Sequence, residues 1–151
     1  MTKSKAAGNY INSVLAKHEV KKAGYDEAIM LDAEGYVSEA SGENIFMVRD
    51  GKIKTTPLTS ILPGITRDSI IILARDKGYQ VVEERFSRDE LYSADEAFFT
   101  GTAAELTPIR EVDDRQVGAG CRGPVTEDIQ NTFFDVIKGK NSKYEKWLTY
   151  V

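Results

Sequence analysis

The sequence of 151 residues predicts a mixed α/β domain in which helices alternate with strands and some strands form hairpins. Helical spacing of apolar residues near both ends of the chain predicts helices there, and short β-branched and aromatic runs predict strands between them. The dipeptide Asp50-Gly51 lies between two such runs and is a strong signal of a two-residue hairpin. Because a hairpin makes neighbouring strands antiparallel, the pattern does not fit a doubly wound parallel sheet.

Residues 10–55 are predicted to form one helix and four strands. A helix is expected over residues 10–24, because four side chains recur at spacings that share one helical face: Ile11, Val14, Leu15 and His18. Gly24 ends this helix, and His18 is expected to have a structural role on its apolar face. Strands are expected at residues 27–32, from residue 36, and at residues 44–49 and 52–55.

The second part of the chain is predicted to open with a loop at residues 56–64 and a helix that Thr66 caps and that runs to Gly78. Ser87 and Glu90 have the spacing of a capping box, which predicts one short helical turn. Strands are expected at residues 79–85, 96–100 and 106–112, and a turn at Asp113-Asp114. A long helix opens at Pro124 and Thr126, and its core face is expected to hold Ile129, Phe133, Val136 and Ile137.

Composition narrows the class of protein. Hydrophobic residues make up 41% of the chain, which is enough for one buried core. The net charge is −4, so no basic surface is expected for nucleic acid or an anionic membrane. The longest apolar run, residues 70–74, is far shorter than the roughly 20 residues that span a bilayer. Cys121 is the only cysteine and His18 the only histidine, so we expect no intrachain disulfide, no metal site and a reducing compartment, the cytoplasm.

Two glycine-containing segments in the first part of the chain are candidates for a site. Lys5 lies among small residues, and a buried lysine loses charge stabilisation and becomes a nucleophile for a carbonyl carbon. The alternative for Lys5 is a solvated side chain near the chain start. Residues 38–46 join two strands and are suited to positioning a carboxylate, or else they are a surface connection with Glu39 and Glu43 in solvent.

Two further segments have features of an anion site. Residues 62–67 run directly into a helix, where backbone N–H groups attract phosphate and Thr66 adds a hydroxyl; plain helix capping is the alternative. Residues 100–108 leave a strand with two hydroxyls around a glycine, which fits a second phosphate contact or a polar turn. Taken alone, each segment is more often only a turn that uses the conformational freedom of glycine.

Taken in order, the four segments closely resemble the branched-chain amino acid aminotransferases, which are pyridoxal phosphate enzymes of fold type IV. The segments are Lys5-Ala-Ala-Gly-Asn-Tyr10, Ser38-Glu-Ala-Ser-Gly-Glu-Asn-Ile-Phe46, Leu62-Pro-Gly-Ile-Thr-Arg-Asp68 and Thr100-Gly-Thr-Ala-Ala-Glu-Leu-Thr-Pro108. The resemblance covers nearly the whole chain. D-amino acid aminotransferases and aminodeoxychorismate lyases share the lysine and a glutamate, but they look less like residues 43–46 and 62–68.

The resemblance implies a role for the residues that face the cofactor ring. Lys5 matches the lysine that forms the Schiff base with pyridoxal phosphate and then moves the substrate's α-proton. Tyr10 matches the tyrosine that hydrogen-bonds the ring oxygen, and Glu39 matches the carboxylate that keeps the pyridine nitrogen protonated. Leu62 matches the residue that packs on the face of the ring.

The remaining implied roles concern anions. Ile65 and Thr66 match the phosphate contacts at the start of a helix, and Thr102 matches a second phosphate contact. Thr102 and Ala103 match the turn whose backbone amides bind the substrate α-carboxylate. Cys121 is expected to be an incidental thiol, and Arg110 a solvated strand residue.

The resemblance also implies an architecture and an activity. Residues 1–151 match only the C-terminal, cofactor-binding domain of the family, a mixed sheet or pseudo-barrel with flanking helices. No segment here matches the family's N-terminal domain, which supplies an arginine to the phosphate and much of the substrate pocket. The complete enzyme would be a homo-oligomer that transfers the amino group of leucine, isoleucine or valine to 2-oxoglutarate. A non-catalytic module that binds the cofactor or a partner domain is the alternative.

Overall fold

The computed structural model describes residues 3–150 of the chain. In this part of the chain the α-helices are α1 (Ile11–Lys22), α2 (Ile65–Asp76), α3 (Arg88–Tyr92) and α4 (Pro124–Ile137). The strands are β1 (Ile29–Leu31), β2 (Val37–Ala40), β3 (Asn44–Arg49), β4 (Lys52–Thr55), β5 (Gln80–Glu83), β6 (Glu96–Gly101), β7 (Glu105–Pro108), β8 (Glu111–Val112) and β9 (Arg115–Gln116). Short 3₁₀ helices cover Ala7–Tyr10 and Ser142–Trp147. Met1, Thr2 and Val151, which the predicted domain includes, lie outside the described residues.

A five-stranded sheet in the order β5-β4-β3-β6-β7 forms the centre of the fold. Its pairs are antiparallel except for β4 and β5, which run parallel because α2 connects them as a crossover. The predicted hairpin between β3 and β4 is present, and Asp50 and Gly51 both have positive φ, as a two-residue turn requires. The predicted mixed α/β class with flanking helices is therefore confirmed.

Both faces of the central sheet are covered by apolar side chains. Phe46 and Val48 of β3 point to the face where α2 and α4 pack, and Phe46 stacks on Phe98 of β6 with ring centroids 5.0 Å apart. Ile45 and Met47 point to the opposite face, against β2, α3 and the segment after β7. Successive side chains of a strand alternate between faces, so a strand buried on both faces is apolar throughout, as β3 is.

The structure corrects two predicted boundaries. Thr66 is not the cap of α2: the helix begins at Ile65, and Gly64 precedes it in an extended conformation after Pro63. The strand predicted at residues 106–112 is divided into β7 and β8. Strand β7 ends at Pro108, which has no N–H group to continue the hydrogen-bond ladder.

Helix α1 is present as predicted, but its apolar face is not covered. Ile11, Val14 and Leu15 are each more than 60% exposed, and His18 on the same face is also exposed. The predicted structural role of His18 is wrong for this part of the molecule, because no side chain of α1 is buried. Ile137, expected in the core, is 41% exposed at the last turn of α4, whereas the other three predicted core residues of that helix are buried.

Within residues 3–150, every helix is too short or too polar to cross a bilayer. The same part of the chain brings together no group of three or more His, Cys, Asp or Glu side chains that could hold a metal ion. Cys121 is an exposed free thiol, and Arg110 is exposed beside Glu111.

Candidate active site

Three of the four predicted segments meet at one end of the central sheet. Asn44 at the start of β3 pairs with Thr100 near the end of β6, so the loops that flank these two residues lie side by side. A Cβ atom added to Gly101 would lie 3.3 Å from Cγ of Glu43, and one added to Gly64 would lie 2.2 Å from Oδ1 of Asn44. The loop before β3, the start of α2 and the turn after β6 therefore form one cluster.

Glu39 on β2 is the half-buried carboxylate of this cluster. Its Oε2 accepts hydrogen bonds from the Leu62 backbone N–H at 3.0 Å and from Nδ2 of Asn44 at 3.3 Å. Among residues 3–150, Oε1 of Glu39 has no hydrogen-bond donor, so it is free to accept one from a ligand. Burial raises the pKa of the Glu39 carboxyl above 4.5, and the Leu62 N–H opposes this rise. The alternative of a solvated Glu39 does not fit this environment.

The start of α2 provides backbone donors for an anion. Gly64 is the N-cap residue, and no side chain caps the helix. The first helical hydrogen bond runs from the Asp68 N–H to the Gly64 carbonyl, at 3.1 Å, so the N–H groups of residues 65–67 precede it at the positive end of the helix dipole. Thr66 is buried, whereas the Ile65 side chain is 84% exposed and offers an apolar surface beside these donors.

The turn between β6 and β7 offers a second set of polar groups. Thr102 and Ala103 are exposed at its tip. The Thr107 hydroxyl donates to the Ala104 carbonyl at 2.8 Å and closes the turn, and Glu105 has a positive φ of 52°. The Thr100 hydroxyl is buried and has no hydrogen-bond partner among the described residues.

Lys5 and Tyr10 lie on the segment that leads into α1. The Asn9 side chain donates to the Ser4 carbonyl at 2.8 Å, which folds this segment around Lys5. Lys5 is exposed in the structure, so the burial that would activate its amine is not provided by residues 3–150. Tyr10 is half-buried and, together with Ser41 and residues of α1, lines a cavity of about 350 Å³. The Lys5 segment thus approaches the Glu39 loop through Tyr10 and Ser41.

A group that sequence patterns did not indicate attaches α1 to this loop. Glu27 accepts hydrogen bonds from Nζ of Lys17, from the Ser41 hydroxyl and, at 2.8 Å, from the Ala28 N–H. Burial alone would raise the pKa of the Glu27 carboxyl, but these donors outweigh burial and hold the pKa below 4.5. Lys17, Glu27 and Ser41 are 10 or more residues apart, so only the fold brings them together.

Glu43 lies beside this group with a different protonation tendency. Its Oε2 is buried without a hydrogen-bond partner among the described residues. Burial first, and then the neighbouring Glu27 carboxylate, raise the pKa of the Glu43 carboxyl above 4.5. The loop before β3 is therefore held by Glu27, and Glu43 packs against Gly101 from the same loop.

Comparison with known proteins places this cluster in context. Residues 4–112 match the family model for amino-transferase class IV. The chain is 58% identical over 151 residues to a branched-chain-amino-acid aminotransferase of Pseudomonas aeruginosa, covering 100% of the chain and 49% of that relative. It is 52% identical to the enzyme of the same name from Escherichia coli K12, covering 99% of the chain and 49% of that relative. The chain spans about half the length of these curated relatives.

Solved structures agree with the sequence relatives. The E. coli branched-chain amino acid aminotransferase has a TM-score of 0.96 at 51% identity, and the match covers 99% of this chain and 51% of that one. A thermophilic counterpart, from T.th., was solved in complex with N-(5'-phosphopyridoxyl)-L-glutamate and is 52% identical, with a TM-score of 0.97. That match also covers 99% of this chain and 51% of the solved one. These matches confirm the resemblance that the four segments predict.

Proposed function

The chain belongs to the class IV aminotransferases, and from this premise we propose that it is the cofactor-binding domain of a branched-chain-amino-acid aminotransferase. The complete enzyme would transfer the amino group of leucine, isoleucine or valine to 2-oxoglutarate. The observation that carries the proposal is the convergence of Glu39, the uncapped start of α2 and the turn at Thr102 at one end of the central sheet. That convergence joins a carboxylate, a phosphate-type site and a turn with exposed amides.

The cluster fits pyridoxal phosphate. Absence of a side chain at Gly64 lets the start of α2 pack directly on Asn44, and the uncapped N–H groups there suit a phosphate, with Thr66 beside them and Thr102 across the cluster. Leu62 and Ile65 supply apolar surface suited to a ring, and Oε1 of Glu39 is the acceptor suited to a protonated ring nitrogen. Pyridoxal phosphate supplies an aldehyde that takes up the amino group and a ring that withdraws electrons from the substrate.

Lys5 and Tyr10 are assigned by their positions in the matched family region. The Lys5 amine would bond the cofactor aldehyde and carry the substrate's α-proton, and the Tyr10 hydroxyl would donate to the ring oxygen. The attachment of α1 to Ser41 through Lys17 and Glu27 supports this assignment, because it holds the Lys5 segment near the Glu39 loop. Backbone amides at Thr102 and Ala103 would bind the substrate α-carboxylate.

The remainder of the active site would come from an N-terminal domain, as in the relatives that are twice as long. Such a domain would supply an arginine to the phosphate and most of the wall around the aliphatic side chain. The uncovered face of α1, formed by Ile11, Val14 and Leu15, supports a further interface, because apolar side chains clustered on a surface favour burial. The complete enzyme is proposed to be a homo-oligomer of the cytoplasm.

Labelling of Lys5 tests the cofactor assignment. The chain is mixed with pyridoxal phosphate, reduced with borohydride, digested and analysed by mass spectrometry. We expect the reduced cofactor on Lys5, retained in a Lys3→Ala control and lost in Lys5→Ala, because only Lys5 lies beside the site. Equal labelling of both lysines, or no labelling of Lys5, would contradict the proposal.

Substrate preference tests the activity. The chain is fused behind the N-terminal half of the Pseudomonas aeruginosa relative, which restores the part that it does not match. Transamination of 2-oxoglutarate is then compared for L-leucine and D-alanine. We expect turnover of L-leucine. A preference for D-alanine would favour a D-amino acid aminotransferase, and cofactor on Lys5 without turnover would favour a binding module.

A further inference from the structure

We propose that Asn44 is the positioning residue of this site: its side-chain amide fixes the direction of the Glu39 carboxylate and its distance from the phosphate-binding start of α2. This inference rests on the proposed function, since it concerns how the pyridine partner and the phosphate site are held relative to each other. Asn44 itself touches neither reacting atoms nor, in this assignment, the cofactor.

The first support is the set of contacts that one amide makes. Nδ2 of Asn44 donates to the Leu62 carbonyl at 2.9 Å and to Oε2 of Glu39 at 3.3 Å. Oδ1 lies where a Cβ on Gly64 would fall, at 2.2 Å, so the backbone before α2 packs directly on this amide. A single side chain therefore joins β2, the loop that carries Leu62 and the start of α2.

The second support is the anchoring of Asn44. It is 4% exposed and is the first residue of β3, the central strand of the sheet, where it pairs with Thr100 of β6. A residue on a strand with neighbours on both sides holds its direction better than a loop residue. The amide thus transmits the position of the sheet to Glu39 and Leu62, which lie on less constrained segments.

The third support is the chemistry of the contacts. Both N–H donors of Glu39, from Leu62 and Asn44, go to Oε2, which leaves Oε1 directed to a ligand. These donors stabilise the ionised carboxylate, whereas burial favours the neutral acid. Aspartate at position 44 would place an acceptor and a negative charge against Glu39 and the Leu62 carbonyl, so the amide is required.

The test compares Asn44→Ala with a matched control, Thr55→Val. Thr55 is buried on the adjacent strand, and its hydroxyl donates to the Ile45 carbonyl at 2.8 Å without touching Glu39. Both variants lose buried hydrogen bonding. The Glu39 carboxyl is titrated by ¹³C NMR in the full chain without cofactor, with its signal assigned through Glu39→Gln. We expect the Glu39 pKa to rise in Asn44→Ala, to rise further in Asn44→Asp, and to stay at the wild-type value in Thr55→Val.

A second readout uses pyridoxal phosphate labelled with ¹⁵N in its ring. In Asn44→Ala we expect affinity to fall about tenfold, the loss of roughly one charge-assisted hydrogen bond, and the ring-nitrogen signal to move towards the neutral form. Both effects should disappear when Asn44→Ala is made in the Glu39→Gln background, because Asn44 acts through Glu39. Asn44→Ser replaces Asn44→Ala if the alanine variant does not fold, with the same expected directions.

The outcomes separate this inference from the proposed function. If the wild-type chain does not take pyridoxal phosphate on Lys5, the proposed function fails, while the cofactor-free Glu39 titration still decides the role of Asn44. If Asn44→Ala and Thr55→Val show the same Glu39 pKa and the same ring-nitrogen signal, Asn44 is only structural and the inference is overturned.

Discussion

Replacement of Gly64 by alanine is expected to destabilise the chain, although its backbone conformation favours the opposite. Gly64 has φ −73° and ψ 136°, a conformation that alanine adopts without strain. In open space this exchange would stabilise the fold by about 0.4–1 kcal/mol, because alanine has fewer unfolded conformations. The added Cβ, however, would lie 2.2 Å from Oδ1 and 3.4 Å from Cγ of Asn44, a side chain that two hydrogen bonds hold in place.

The magnitude follows from the cost of relieving this overlap. Either α2 moves away from β3, or the Asn44 amide leaves the Leu62 carbonyl and Glu39. Overpacking of this kind costs about 1–3 kcal/mol, and a loss of that size lowers the melting temperature of a domain of this length by roughly 2–4 °C per kcal/mol. Stability therefore falls even after the favourable backbone contribution is included.

Thermal and urea unfolding of Gly64→Ala and Gly42→Ala provide the assay. Gly42 lies in the loop next to Asn44, has no positive φ, and a Cβ added there meets no atom within 4 Å. We expect Gly42→Ala to unfold at or slightly above the wild-type temperature and Gly64→Ala to unfold several degrees below it. If Gly64→Ala were as stable as Gly42→Ala, the close packing of α2 on Asn44 would be refuted.

Three further predictions concern carboxylates. Glu96→Gln should lower the free energy of urea unfolding by about 1–2 kcal/mol, because its carboxylate accepts both from the Thr126 N–H at 2.7 Å and from the Val125 N–H, and an amide satisfies only one of them. Glu39→Gln should stabilise the cofactor-free chain above pH 4.5, since the pKa of Glu39 is raised in the folded state and ionisation there opposes folding; the gain should vanish below pH 4.5. Glu27 has a lowered pKa when folded, so its contribution is complete above pH 4.5 and is lost as pH falls through the folded value; protection of α1 amides from hydrogen exchange should fall there, and Glu27→Gln should remove this pH dependence.

Each of these has a contrary result. An unchanged urea midpoint in Glu96→Gln would mean that the start of α4 needs no acceptor from β6. A stability difference for Glu39→Gln that does not vary with pH would contradict the raised pKa. Protection of α1 that is equal at pH 3 and pH 7 would show that Glu27 does not hold the helix to the loop.

Local signals account for the parts of the fold that were predicted correctly. The turn at Asp50-Gly51 and the capping box of Ser87 and Glu90 depend on residues that are adjacent or three apart, and both are present. The start of α4 is a contrast, because its acceptor is Glu96, 29 residues before Val125. A contact across that distance depends on how β6 and α4 pack, and no local pattern indicates it.

The same distinction applies to α1. Apolar spacing predicts that Ile11, Val14 and Leu15 share a face, and they do. Spacing says nothing of whether another part of a protein covers that face, and within residues 3–150 it is exposed. Burial of a helix face depends on neighbouring elements, so it is a property of the tertiary structure.

The sequence by itself determined the mixed α/β class, the order of most elements, and the residue types suited to cofactor chemistry, because these depend on periodicity, on turn residues and on ordered motifs. Only the tertiary structure decided that Glu39, Leu62 and Gly64 meet on one amide, that of Asn44. The physical reason is the register of β3 against β6 and the crossover through α2, which bring side chains that lie 5 to 23 residues apart in the chain within hydrogen-bond distance.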